Sequence, residues 1–247
     1  MSGPVHLILD PPRSGAWNMA IDAALLEESL NRNAIFLRLY RWSEATVSLG
    51  HFQDAAEQQR DPRLASLPTV RRLSGGGAIL HHHEQTYSCC LPPSHPLAQQ
   101  PSLLYERIHA VFVEWLTEFG VAVAPRGSDF SRPHEPFLCF LREAAPDLVV
   151  KGHKVLGSAQ RRRRGTVLQH GSLLLRASEY APELIGVSEL APQFTESSAT
   201  ILALAERLSQ CLGDEIIQNE VPLTVQSQAS LLVKSIGHDR QSICANR

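Results

Sequence analysis

The chain has 247 residues and a formal net charge of −2, and 43% of its residues are hydrophobic, enough for one sizeable core. This balance excludes a mostly disordered polymer and gives no whole-molecule attraction to nucleic acid or to an anionic membrane. Five cysteines without a CxxC pair, no basic-then-apolar start and no apolar run near the roughly 20 residues of a membrane span point to a reduced, cytoplasmic protein.

In chain order, Trp17–Leu30 carries apolar residues at helical spacing, and Ile35–Trp42 and Thr46–Leu49 read as strands. The two prolines of Asp61–Pro68 mark a connection. Thr69–Leu73 is a short strand, Ser74-Gly75-Gly76-Gly77 a turn, and Ala78 to about His82 a further strand. Gln85–Leu91 follows, then a proline-rich break over Pro92–Pro101. Leu103–Phe119 has the period of a long amphipathic helix and stops at Gly120. After the polar stretch Gly127–Pro136, three strands are expected at Leu148–Val150, Val155–Ala159 and Val167–Leu175, the first two joined by Lys151-Gly152-His153. Thr200–Leu212, ending at Gly213, and Val225–Ile236 read as helices. Strands joined by hairpins, with helices interspersed irregularly, indicate an α+β fold: a mixed, largely antiparallel central sheet flanked by helices. One catalytic domain over 1–247 is expected, with 200–247 as its helical C-terminal segment.

Three places carry chemistry. In RRLSGGGAILHHH the glycines leave no Cβ between backbone N–H groups and a ligand, and Arg71 and Arg72 lie just upstream. Alone, the segment reads equally well as a glycine hairpin with solvated arginines. It is neither a Walker loop nor GxGxxG. In KGHKVLGSAQ, Lys154 opens an apolar strand beside Gly157, Ser158 and Ala159; desolvation there favours a proton acceptor or a donor to a carbonyl oxygen. A lysine taken singly more often edges a hairpin. Cys139 is on its own more simply a buried apolar residue, and becomes a nucleophile only with a neighbouring base, for which Lys154 and His170 are the candidates.

Two further clusters carry less. His81-His82-His83 with Cys89-Cys90 lacks metal-ligand spacing, because on a strand only His81 and His83 share a face; no metal is expected. Arg161–Arg164 sits at a hairpin turn, as a solvated loop or as a dock for an acidic partner, with no interleaved aromatics for nucleic acid.

Taken together, Asn18–Asp22 with Leu25-Leu26, Leu37–Trp42 through Ser48-Leu49-Gly50, Arg71–Ser88 and Lys151–Leu175 resemble the biotin/lipoate protein ligase and lipoyl/octanoyl transferase superfamily. The resemblance covers about residues 15 to 175. It implies a pocket in which the Arg72–Ala78 turn covers an acyl chain and Lys154 contacts the reacting carbonyl. The implied binding residues are Arg72, Ser74, Gly75, Gly76, Gly77, Ala78, His81, Gly157, Ser158, Ala159, His170 and Gly171.

Two chemistries occur in the superfamily. Ligases use ATP and Mg to form lipoyl-adenylate; octanoyltransferases use neither and accept octanoate from acyl carrier protein on a cysteine. Cys139-Phe140 precedes Lys154 by the interval of the cysteine-dependent octanoyltransferase branch, and Gln169-His170-Gly171-Ser172 also resembles that branch. Few residues follow Thr200–Ile236 for the accessory domain common in ligases. The resemblance therefore implies Cys139 and Lys154 as catalytic pair, no cofactor, acyl carrier protein as donor, and a lysine of a lipoyl-domain protein as acceptor, such as glycine cleavage H protein or a 2-oxoacid dehydrogenase E2. Ser74 stands where threonine is common, His82 where aspartate is, and Leu141 where an acidic residue is. The alternatives are an ATP-dependent lipoate–protein ligase and a non-catalytic binder of acyl groups or lipoyl domains.

Overall fold

The computed structural model describes residues 3–128 and 136–244, with side chains as far as Lys234. Most of the polar stretch Gly127–Pro136 and the Cys244 side chain lie outside them. In order, the elements are β1 (Val5–Leu9), α1 (Gly15–Arg32), β2 (Ile35–Tyr40), β3 (Thr46–Leu49), β4 (Thr69–Arg71), β5 (Ile79–His81), β6 (Glu84–Leu91) and α2 (Pro101–Glu118). Then come β7 (Val123–Pro125), β8 (Leu148–Val150), β9 (His153–Arg163), β10 (Thr166–Leu174), α3 (Val187–Leu190), α4 (Ser198–Leu212), β11 (Ile216–Asn219) and α5 (Leu223–Cys244).

The main sheet runs β11-β1-β2-β6-β10-β9-β8-β7, and a second, three-stranded sheet runs β4-β3-β5. In the main sheet β1 is parallel to both β11 and β2, and the other pairs are antiparallel, so the expected mixed, largely antiparallel sheet is present. The parallel edge is the part missed by the sequence reading. Val5–Leu9 is a short apolar run without alternation, the pattern of a strand buried among parallel neighbours, and β7 and β11 are edge strands of three and four residues.

Helices cover both faces. Cys89 and Cys90 mark the alternation: Cys89 packs with Leu37, Phe112, Trp115 and Leu204 beneath α2 and α4, whereas Cys90 packs with Ile21, Leu25, Phe36 and Val225 beneath α1 and α5. Both thiols are buried and free. One buried charge sits inside this packing. Arg38 on β2 is fully buried and donates to Asp10 (2.7 Å), Asp22 (3.0 Å) and Asn18 (2.7 Å), which satisfies a cation that would otherwise be costly to bury.

Two tight hairpins frame β9. Lys151 (φ 49°) with Gly152 (φ 81°) joins it to β8, and Arg164 (φ 50°) with Gly165 (φ 82°) joins it to β10; paired positive φ angles match the twist of such two-residue turns. The resulting register sets Ala159 opposite His170, Ser158 opposite Gly171 and Gly157 opposite Ser172. Small residues from two strands therefore lie side by side, leaving space above the sheet.

Candidate active site

That space is a narrow cavity of about 70 Å³ between the main sheet, the second sheet and the start of α1. Met19, Tyr40, Trp42 and Ile79 give it a mostly apolar wall at one side, and Cys139, Phe140 and Lys154 stand at the other. Trp42 is fixed there, donating its indole N–H to Thr86 Oγ1 (3.0 Å) and stacking on His81 at 3.7 Å. Of the residues expected in the pocket, Arg72, Gly75, Gly76 and His81 line it from the second sheet and its turn. Gly157, Ser158, Ala159, His170 and Gly171 line it from β9 and β10. Ser74, Gly77 and Ala78 do not line it; they brace the turn.

Ala78 is the clip for the segment that carries Cys139. Its N–H donates to the Phe137 carbonyl (2.9 Å), and its own carbonyl accepts the Cys139 N–H (2.6 Å). Lys154 Nζ then lies 3.8 Å from Cys139 Sγ and 3.2 Å from the Cys139 carbonyl oxygen. The lysine is buried, and its partner is Asp147, 2.9 Å away, which also accepts the Ala144 N–H at 2.8 Å. Burial pushes the Asp147 carboxyl above its usual range, against the opposing pull of the Lys154 charge. Gly157 leaves room for the lysine stem, since a Cβ there would lie 2.7 Å from Lys154 Cε. Arg72 is the second cation: burial lowers its guanidinium to about 10, and the nearby Cys139 charge opposes that shift.

The glycine turn is organised by Arg72 from within. Its guanidinium donates to the carbonyls of Ser48 (2.9 Å), Gly75 (2.7 Å) and Gly77 (2.6 Å), while Nε is buried and has no partner among the described residues. Because the peptide is planar and trans, a Gly75 carbonyl turned towards Arg72 directs the Gly76 N–H away from it. Gly50 packs so closely that an added Cβ would lie 2.0 Å from the Gly76 carbonyl oxygen. Gly77 faces Arg142 instead of the cavity. Arg71, expected to help neutralise a ligand, points elsewhere: it donates to the carbonyls of Gly50, His51 and Gln53 and closes that loop.

His170 is not the partner of Cys139. Its Nδ1 lies 3.5 Å from Asp22 Oδ2, and its Nε2 is 2.5 Å from the hydroxyl of Ser74, which is itself buried. Burial alone would raise the Asp22 carboxyl, but its bonds to His170 and Ser88 and the Arg38 charge bring it below its usual value. Of the two candidate bases for Cys139, geometry leaves Lys154.

The histidine run also differs from expectation. β5 stops at His81, and the chain bends through His82 and His83 into β6 at Glu84, so the rule for alternating strand residues no longer applies. The pair that converges is His82 and His83, stacked at 3.6 Å, and not His81 with His83. His81 is held by Ser48 (2.8 Å) and Glu84, and burial lowers its ring below the ordinary histidine value despite the Glu84 charge. Among the described residues no group of three or more His, Cys, Asp or Glu gathers as metal ligands would. The arginine run splits between faces: Arg162 donates to the Ala98 carbonyl near α2, and Arg163 pairs with Glu27 on α1.

Residues 14–225 match the lipoyl protein ligase A/B catalytic domain. The chain belongs to this family. Within it, the chain is 39% identical over 171 residues to octanoyltransferase LipM of Carboxydothermus hydrogenoformans, covering 66% of this chain and 62% of that protein. It is 36% identical over 184 residues to octanoyltransferase LipM of Exiguobacterium, covering 70% of this chain and 67% of that one. The matched region thus spans about three-fifths to two-thirds of these relatives. Among solved structures, a lipoate-bound putative lipoate protein ligase, Ta0514 of T. acidophilum, superposes with a TM-score of 0.73 at 20% identity, covering 95% of this chain and 96% of that one. Lipoate-protein ligase A bound with ATP gives 0.67 at 18% identity, covering 95% of both chains. At such identities the structural likeness establishes the fold, which is that of lipoate ligases.

The lipoyl ligase family fold makes clear what the sequence reading passed over. Asp147 precedes Lys154 by seven positions and lies next to a proline, a setting that reads as an ordinary surface turn; only the β8–β9 hairpin brings it back to the lysine. A second unnoticed group lies beneath β9. Gln169 Nε2 donates to the Tyr87 hydroxyl (2.8 Å), which donates to Ser158 Oγ (2.7 Å), which donates to His109 Nε2 (2.8 Å). His109 Nδ1 donates in turn to the Pro146 carbonyl (2.6 Å), an acceptor only, which fixes the direction of the whole chain. It ends one residue before Asp147. Among the described residues no helix is long and apolar enough to cross a membrane.

Proposed function

We propose that this protein is an octanoyltransferase of the cytoplasm. Cys139 takes an octanoyl group from its thioester with acyl carrier protein, and a lysine of a lipoyl-domain protein, such as glycine cleavage H protein or a 2-oxoacid dehydrogenase E2, then takes it from Cys139. The observation that carries this reading is the Cys139 sulfur 3.8 Å from a buried Lys154 ammonium at the end of an apolar cavity. That sulfur has two cationic side chains beside it, Lys154 and Arg72. Relatives named octanoyltransferase LipM support the same substrate.

In the first half-reaction the Cys139 thiolate attacks the donor carbonyl, forming a C–S bond. The Gly76 N–H and the Lys154 ammonium suit the oxyanion, and the tetrahedral species collapses with loss of the donor thiolate. In the second, a neutral lysine amine attacks the octanoyl-Cys139 carbonyl. A C–N bond forms, the C–S bond breaks, and the amine proton ends on the departing Cys139 sulfur. Exchange between thioesters is near balance and the product amide is more stable, so no nucleotide is needed. Asp147 holds Lys154 in line for both steps.

Intact mass after mixing the protein with octanoyl-acyl carrier protein tests this directly. The expected result is a gain of one octanoyl group, absent in Cys139→Ala and discharged by an apo lipoyl domain. Absence of that adduct, together with ATP-dependent loading of free lipoate, rejects the proposal in favour of the ligase; tight acyl binding with no transfer under any condition rejects it in favour of a binder.

A further inference from the structure

A second cleft, of about 90 Å³, reaches the same lysine from another direction. Phe140 and Lys154 border both cavities, with Lys154 Nζ 5.6 Å from the centre of the Phe140 ring. The two spaces therefore adjoin across the residue that follows the nucleophile. Their walls differ in kind. The first is mainly apolar, while the second carries Arg126, Glu143, His153 and Glu183, and its His153 and Glu183 are exposed. Within the second wall Arg126 pairs with Glu143 at 3.0 Å. Lys154 and Glu183 both have their partners, Asp147 and Arg63, outside the lining; of the two, Lys154 is buried at the inner end and Glu183 is the exposed charge, paired with Arg63 at 3.0 Å.

We infer that this polar cleft admits the acceptor, a protein lysine whose slender aminoalkyl chain reaches octanoyl-Cys139 on the side away from the acyl tail. The inference rests on the acyl-transfer reading above. When the octanoyl chain fills the apolar cavity, a nucleophile must approach the thioester from elsewhere, and the polar cleft is the space that meets it at Lys154 and Phe140. A carboxylate at its rim suits an incoming ammonium, which loses its proton before attack. The same carboxylate disfavours an anionic donor, such as the phosphodiester arm that carries the thioester on a carrier protein. Donor and acceptor would then dock from different directions, so the acceptor can bind without crossing the acyl chain.

The test separates the half-reactions in the full chain. His153→Trp narrows the cleft and Glu183→Arg reverses its exposed charge. For each, the rate at which Cys139 gains octanoate from octanoyl-acyl carrier protein is read by intact mass, and a retained rate shows that the variant is folded. The single-turnover rate of transfer to an apo lipoyl domain is read next, and then the rate at which hydroxylamine, small enough to need no cleft, discharges the acyl-enzyme. The ratio of transfer to acylation is expected to fall about tenfold in each variant, with the hydroxylamine rate retained. An unchanged ratio, or acylation falling in step with transfer, overturns the inference while leaving octanoyl transfer intact. An unsubstituted protein that never forms the acyl-enzyme overturns both.

Discussion

Two three-residue arrangements in this molecule look alike on paper and differ in what they can do. Ser74, His170 and Asp22 align a hydroxyl, an imidazole and a carboxylate, the order of a hydrolytic triad. Cys139, Lys154 and Asp147 align a thiol, an amine and a carboxylate. The first is closed: Ser74 is buried off the cavity, beneath the turn it braces, and Asp22 is committed to Arg38, Tyr40 and Ser88. The second has its sulfur in the wall of the cavity. Access to the cavity, more than the identity of the three groups, distinguishes the two arrangements.

The sharpest way to break that comparison is to remove each nucleophile atom. Cys139→Ala is expected to abolish the octanoyl adduct altogether, as read by intact mass. Lys154→Met should slow acyl-enzyme formation by about 10²–10⁴, the range for loss of a positioned acid–base group, measured by rapid quench. Asp147→Asn should cost about 10²-fold, the scale of a mispositioned catalytic group. Asp147→Glu, which keeps a carboxylate for Lys154, should recover part of that rate, which a purely structural loss would not. Ser74→Ala belongs to the other arrangement: it leaves His170 Nε2 buried without its hydroxyl and should lower unfolding free energy by about 1–3 kcal/mol in urea titrations, with Cys139 still acquiring the acyl group.

The smallest expected effect comes from His109, whose ring is lowered to about 4 by burial and by the nearby Lys154 charge, against its bond to the Pro146 carbonyl. The unfolded chain binds a proton on this residue near pH 6.5, while the folded chain resists until about pH 4. Stability from this group is therefore full above pH 6.5 and is lost as pH falls towards 4. His109→Gln should flatten the dependence of urea midpoint on pH across that window. His81, also lowered, acts in the same direction, and Asp147, raised by burial, acts against it.

Much of this site could be read from the chain because its parts are local. The Ser74–Gly77 turn and the Lys154-to-Ala159 strand each announce themselves within a few residues, and the spacing of Cys139 to Lys154 carries the pairing that the fold then realises at 3.8 Å. What escaped the sequence reading depends on distance along the chain. Arg72 and Arg71 are neighbours in sequence, yet β4 ends between them, and one guanidinium enters the glycine turn while the other closes the loop at Gly50. Asp147 has no motif of its own and acquires meaning only when a hairpin folds it onto Lys154. His170 reads as a base until Ser74, 96 residues away, occupies its ring nitrogen. The parallel edge was illegible for a similar reason, since β1 is a short apolar run and β11, its partner at the sheet edge, comes from the opposite end of the chain.

The Cys139 sulfur reaches the cavity by a modest attachment. Cys139 is held to the glycine turn through the two backbone hydrogen bonds at Ala78, bonds that any amino acid other than proline can make. The scaffold that shapes the cavity and the segment that supplies the sulfur are thus separable pieces. A descendant could exchange the clipped-on segment and keep the cavity, so a change of chemistry in this family need not await a change of fold.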